Sequence, residues 1–514
     1  MRVEQFLENS ARLLPEKLAL IEGETRLTFC ALDRAAAGLA ATFESRGVAR
    51  GDRVVIFADN CWEAVVGLFA AMKAGGVFCM VNPSTKTDKL RFILNDCKPA
   101  AVITLDRLLP AAREAMTALP FIKTVFVAGE SRALNAPGEL RFVEAVASGA
   151  SPTRFPGIEC DLSMLVYTSG STGFPKGVMM THQNVVAAAT SITAYLENTA
   201  DDIILDVLPI SFDYGLYQIL MAAKVGATVV LEKSFAYPQL AFDLIRKERV
   251  TGFPIVPTIA AMILQMRDLQ PGDFATLRYI TNTAAALPPA HIQRLQELFP
   301  TSSLYSMYGL TECKRCTYLP PSELKSRPSS VGVAIPGTEA YVVDEDGARV
   351  APRVVGELVI RGPHVMKGYW GNREATDKAL RPGPYPWEQV LHTGDLFYAD
   401  AEGFLYFVGR KDDIIKSRGE KVSPKEIENV LFQLEGVKEA MVIGVPDPVL
   451  GAALKAVIAL APGITLSERE VIRHCAQHLE DFMVPKFVEF RAELPKNANG
   501  KISRMETARL LEDQ

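Results

Sequence analysis

The chain has 514 residues, 48% hydrophobic and 22% charged, with 55 basic against 60 acidic side chains and a formal net charge of −5. At ~100–200 residues per domain this is a multidomain globular chain, and the composition excludes a disordered or fibrous one. A mildly acidic balance offers no global attraction to nucleic acid or anionic lipid, so neither partner is expected.

In chain order, MRVEQFLENSARLLPEK lacks the apolar run of a signal peptide, and no later run nears the ~18–20 residues of a membrane span. LTFCALDRAAAGLAATFESRG predicts a helix that closes at Gly47. GDRVVIFADN predicts a strand, CWEAVVGLFAAMKAGG a helix, and VFCMVNP, PAAVITL and IKTVFVAG further strands. The alternation returns at DDIILDVLP, GATVVLEK, VTGFPIVPT and LRYITNT. Short apolar strands between helices predict parallel sheets covered on both faces.

From about Val331 the texture changes to strands joined by D-G and E-G turns, as in AYVVDEDGARV and EGFLYFVGR. Beyond GRKDDIIKSRGEKVSP a helix–strand–strand–helix pattern predicts a small α+β unit. The expected fold is therefore α/β: a large domain over 1–410, β-rich from about 331, and a small mobile C-terminal lid domain over 411–514. Eight scattered cysteines predict reduced thiols and a cytoplasmic setting. Cys313 and Cys316 form a lone C-x-x-C, and His474, Cys475 and His478 cluster nearby in sequence; both groups are expected to be helix-face residues rather than metal ligands.

The most informative segment is YTSGSTGFPKGV, Tyr167–Val178, after the apolar strand DLSMLVY. Small residues allow successive backbone N–H groups to face one anion, hydroxyls add donors, and Lys176 adds charge. The Walker spacing is absent. The string resembles the phosphate loop of the adenylate-forming superfamily of acyl-CoA synthetases, amino-acid adenylation domains and beetle-type luciferases. SMYGLTE, GELVIRGPHVMKGYW, the stretch from His392 to Glu428 and PKNANGKI resemble further family segments in the same order.

The resemblance implies ATP and Mg²⁺, and a reaction in which a carboxylate becomes an acyl-adenylate and then a thioester of coenzyme A or of a phosphopantetheinyl carrier protein. It assigns Thr168, Ser169, Gly170, Ser171, Thr172, Gly173 and Lys176 to the phosphates, Tyr308, Gly309 and Thr311 to the nucleotide, Glu312 to the metal, and Asp395 and Arg410 to the ribose. Thr168, Glu312 and Lys501 are the implied catalytic groups, Asp412 the hinge at 410–412, and Gly419 the thiol-side residue. Phe212, Asp213, Asn282, Met307, Lys314 and Arg315 are the implied acyl-pocket residues. Read as isolated residues, Glu312 is a helix N-terminal acid, Asp395 and Arg410 an ion pair, and Lys501 a solvated lysine.

Two features depart from the pattern. Phe212-Asp213 stands where many acyl-CoA synthetases carry histidine; Asp213 either anchors a substrate amine or caps the helix GLYQILMAA. Lys314 and Arg315 either face solvent or the pantetheine phosphate, or meet an acid group at the far end of the substrate. The leading expectation is an AMP-forming acyl-CoA synthetase. The alternative is an amino-acid or β-amino-acid ligase that loads a carrier protein, with a luciferase-like oxygenase and a non-catalytic nucleotide binder behind it.

Overall fold

A computed structural model describes every residue except 130–133, 135, 148, 154–156, 170–174, 267–268, 271, 273, 284–286, 412, 418–419, 448–450, 497–501, 505 and 508–514. Gly170, Ser171, Thr172, Gly173, Asp412, Gly419 and Lys501, and the side chain of Ser169, thus lie outside the described residues.

Among the described residues, the first large sheet has seven strands. Arg53–Phe57, Val77–Val81, Ala101–Leu105 and Thr124–Ala128 run parallel, as the β-branched runs between helices predicted. Leu162–Ser169 joins them in parallel beside Val77–Val81, and Pro175–Thr181 folds back antiparallel on it. The expected first helix spans Phe29–Ser45, capped by the Thr28 side chain, with Gly47 left-handed just beyond its end.

The second sheet has nine strands, with Ile203–Asp206, Thr228–Leu231, Gly252–Ile255, Tyr279–Asn282 and Ser303–Leu310 in parallel at its centre. Lys314–Leu319 then returns antiparallel to Ser303–Leu310. Five strands form the β-rich section, among them Gly356–Arg361, Gln389–Ala399 and Leu405–Arg410. Last comes a three-stranded sheet, Val437–Asp447, Gly451–Leu460 and Phe487–Arg491, covered by helices Pro424–Leu431 and Glu468–His478.

This is the expected α/β class. One local expectation is corrected, and of the readings weighed for two single residues one falls at each. Cys313 and Cys316 sit on the Ser303–Leu319 hairpin, not on a helix, because a glycine turn rather than a helical period organises that stretch. Glu312 lies in the turn of the same hairpin and begins no helix. Phe212, not Asp213, occupies the cap position of the helix Asp213–Val225, so Asp213 belongs to its first turn. Among the described residues no helix is long and apolar enough to cross a membrane, and no cluster of His, Cys, Asp and Glu has metal-binding geometry.

Candidate active site

The pairing of Leu162–Ser169 with Pro175–Thr181 sets Thr168 opposite Lys176. Behind this hairpin, the loop 366–370 closes against its return strand: Met179 N–H donates to Gly368 O at 2.9 Å and Trp370 N–H to Gly177 O at 2.7 Å. Gly177 permits the approach, since a Cβ there would lie 3.1 Å from the Tyr167 ring and 3.3 Å from Trp370. Lys176 Nζ lies 5.4 Å from the centre of the Tyr369 ring. The Tyr369 hydroxyl donates to Glu312 Oε1 at 2.8 Å. The strand pair Leu162–Ser169 and Pro175–Thr181 and Glu312, 136 residues beyond Lys176 in the chain, are thereby brought to one place.

Glu312 is presented by a tight turn. A Cβ on Gly309 would fall 1.7 Å from the Lys314 carbonyl oxygen, and Lys314 itself holds a left-handed φ of 62°. Glu312 Oε1 already accepts from Tyr369, and among the described residues no hydrogen bond engages Oε2. A half-buried carboxylate oxygen beside hydroxyl donors is the hard ligand that Mg²⁺ takes.

On the same side, Asp395 is buried between two partners. The Tyr308 hydroxyl donates to its Oδ2 at 2.6 Å and Arg410 Nε to its Oδ1 at 3.1 Å, across strands whose register pairs the two residues. Phe397 holds the Tyr308 ring edge-on at 4.9 Å. Tyr308 thus positions Asp395, and Asp395 and Arg410 do form the ion pair that either reading of them allowed. Burial, then the charge of Asp395, push the Tyr308 hydroxyl well above its ordinary pKa, so it stays a donor.

The other side of the hairpin differs. Lys314 and Arg315 are 1% and 3% exposed, so the solvent-facing reading of them fails. Arg315 lies 4.7 Å from the Tyr214 ring and 5.6 Å from Tyr217, and Lys314 Nζ lies 5.8 Å from Tyr217. Lys314 Nζ, Arg315 Nη1 and the Tyr217 hydroxyl have no hydrogen-bond partner among the described residues. Burial lowers the Lys314 pKa, opposed by the charges of Asp213 and Glu312. Asp206, at the end of a central strand, is pushed well above the usual carboxylate range by burial, opposed by the Leu208 N–H and the Arg315 charge. Desolvated ring contacts of this kind are worth about 2 kcal/mol or somewhat more each, against the several kcal/mol per ion that burial costs.

Of the other pocket residues, Asn282 ends its strand fully buried, and Met307 accepts the Tyr195 hydroxyl on its sulfur at 2.9 Å. Phe212 and Asp213 are half-buried at the start of their helix. Sequence reasoning passed over Tyr369, Asp206 and Tyr217. A lone carboxylate in the apolar run DDIILDVLP and two tyrosines one turn apart after Asp213 were the available signals.

The profile described as "AMP-binding enzyme" matches residues 7–370, and "AMP-binding enzyme C-terminal domain" matches 426–501. The long-chain-fatty-acid–CoA ligase of Bacillus subtilis is 33% identical over 100% of this chain and 94% of its own length. The oxalate–CoA ligase of Arabidopsis thaliana is 31% identical over 97% of this chain and 96% of its own. The crystal structure of ATP-bound MatB from Rhodopseudomonas palustris superposes with a TM-score of 0.89 at 29% identity, covering 100% of this chain and 99% of that one.

Proposed function

The chain belongs to the AMP-binding, adenylate-forming enzymes, and from that premise we propose that it activates a small carboxylic acid with ATP and passes the acyl group to coenzyme A. In the first step a carboxylate oxygen attacks the α-phosphorus of ATP, forming the acyl-adenylate and releasing pyrophosphate. In the second a thiol attacks the acyl carbon, the C–O bond to AMP breaks, and the thiol proton passes to solvent.

The observation that carries this reading is the convergence of Lys176, Tyr369 and Glu312 with Tyr308, Asp395 and Arg410, the charge of Arg410 reaching the Tyr369 hydroxyl. Thr168, the loop through Gly173 and Lys176 receive the phosphates. Tyr308, Gly309 and Thr311 border the adenine and sugar, and Asp395 accepts the ribose hydroxyls with Arg410 beside it. Glu312 is the residue that would hold Mg²⁺, which supplies charge screening at the phosphates. Positioning and electrostatics suffice for such a transfer. Lys501, after the Asn499-Gly500 turn, meets the substrate carboxylate and α-phosphate. Asp412 is the hinge between domains 1–410 and 411–514, and Gly419 serves the thiol. All eight cysteines are free, which suits a reducing cytoplasm.

Acid-dependent exchange of labelled pyrophosphate into ATP is the test, followed by thioester formation with free CoA against a holo carrier protein. Exchange with at least one acid and product on free CoA are expected. No exchange with any acid in a broad panel overturns ligase function, and product on the carrier alone replaces CoA as the acceptor.

A further inference from the structure

The acyl side of the site holds three buried hydrogen-bond donors without a partner among the described residues: Lys314 Nζ, Arg315 Nη1 and the Tyr217 hydroxyl. We propose that they form a receptor for a second carboxylate, so that the acid this enzyme activates is a short dicarboxylate, held at its far end while its near end reacts. The proposal rests on the ligase reading above and names the substrate class for that site.

The geometry of the two cations is specific. Both lie just past the Glu312 turn, after Cys313, and the charges of Glu312 and Asp213 both act on Lys314, so the pair is close to the proposed metal carboxylate. Arg315 is walled by aromatic rings. Tyr214 and Tyr217 approach its guanidinium, and its charge reaches the Tyr195 hydroxyl. Tyr214 spends its own hydroxyl on Thr281 O at 2.8 Å, and Tyr195 spends its on Met307. Neither therefore competes for an incoming anion. Tyr217 is fully buried and keeps its hydroxyl open.

Among the described residues no acceptor is matched to these donors by a hydrogen bond. Arg315 has one weak contact, Nη2 to Tyr214 O at 3.4 Å, and that oxygen already accepts from Gln218 at 2.9 Å. Asp206 is a nearby acid: its Oδ1 accepts Leu208 N–H at 3.1 Å, its buried Oδ2 makes no hydrogen bond among the described residues and so does not tie down Arg315, and burial favours its neutral form. Half-buried Asp213 acts on Lys314 and Tyr217 through charge. A buried guanidinium and ammonium without an acid-matched hydrogen bond are costly, and a planar carboxylate meets the arginine fork with two parallel bonds. The same charges repel a substrate ammonium and leave a long aliphatic tail nothing apolar to replace.

The test uses the full chain with acids matched in length: succinate against butyrate, glutarate against valerate, with palmitate and β-alanine alongside. The expected result is a kcat/KM for the dicarboxylate at least about 100-fold above its matched monoacid, since a site built for hydrogen bonds discriminates strongly against a partner that lacks them. Arg315→Met should cut that ratio at least tenfold, read together with circular dichroism to confirm folding. Lys314→Met provides the same reading if the arginine variant does not fold. Equal turnover of matched acids, a preference for palmitate or β-alanine, or an unchanged ratio in a folded variant each overturns the proposal. Exchange with monoacids alone leaves the ligase reading standing, whereas exchange with no acid ends both.

Discussion

On the nucleotide side, Asp395 is gripped by Tyr308 and Arg410, and Glu312 is tied to Tyr369. On the proposed acyl side, Lys314 and Arg315, a few residues along the same hairpin, and Tyr217 on the helix Asp213–Val225 are buried with donors open among the described residues. One region ties Asp395, Tyr308 and one oxygen of Glu312 by internal hydrogen bonds and so arrives preorganised for its proposed ligand, the nucleotide. The other leaves polarity to be completed by the substrate. The difference teaches where specificity resides: the nucleotide face suits any member of the family, while the acyl face carries what is particular to this chain.

Breaking the nucleotide face should be costly in proportion to the charge removed. Lys501→Ala should lower pyrophosphate exchange by about 10²–10³-fold, the usual loss for one transition-state donor. It should leave thioester formation from supplied acyl-adenylate nearly intact, and equal loss in both half-reactions would refute a role confined to adenylation. Asp395→Asn removes a charged acceptor from ribose and strands Arg410. It should raise the KM for ATP about 10–100-fold, corresponding to about 1.5–3 kcal/mol, with the acid preference unmoved. A change in acid preference would show that the two faces are not separable. Tyr369→Phe deletes one hydrogen bond to Glu312 and should cost about 3–10-fold in kcat, with a higher Mg²⁺ requirement in the exchange assay. An unchanged Mg²⁺ dependence would remove Glu312 from the metal.

The strands and helices of the parallel sheets were legible because apolar runs and turn residues alternate there without competition. The helix Phe29–Ser45 and the strand Val77–Val81 fall inside the stretches read for them. Cys313 and Cys316 were misplaced as helical because their hairpin is set by tertiary pairing, with Gly309 pressed against Lys314, which leaves no local periodic signal. Motif spacing pointed to Asp395 and Arg410, and the strand register pairs them. It missed Tyr369, Asp206 and Tyr217, whose meaning comes only from what folds against them. Burial, too, is a tertiary property, and it is what separates the two readings of Lys314 and Arg315.

The smallest effect concerns the support under the ribose carboxylate. Glu357 sits on the strand beside His392-Thr393-Gly394-Asp395, where Oε1 accepts Gly394 N–H at 3.1 Å, His392 Nδ1 lies 3.4 Å away and Lys411 Nζ 3.6 Å away. Burial alone would raise its pKa, but the histidine, the amide and the lysine outweigh burial and hold it at about 2, against an ordinary 4.5. A carboxylate with a depressed pKa stabilises the fold fully above the ordinary value, and the contribution disappears as pH falls through the folded one. Glu357→Gln should therefore lower the first thermal transition at pH 7 by about 2–4 °C. The gap to the parent should shrink as pH falls from 4.5 toward 2. A gap independent of pH over that range would mean that Glu357 supports the Asp395 turn by shape alone. The nucleotide face would then owe its preorganisation to packing and not to charge satisfied from within.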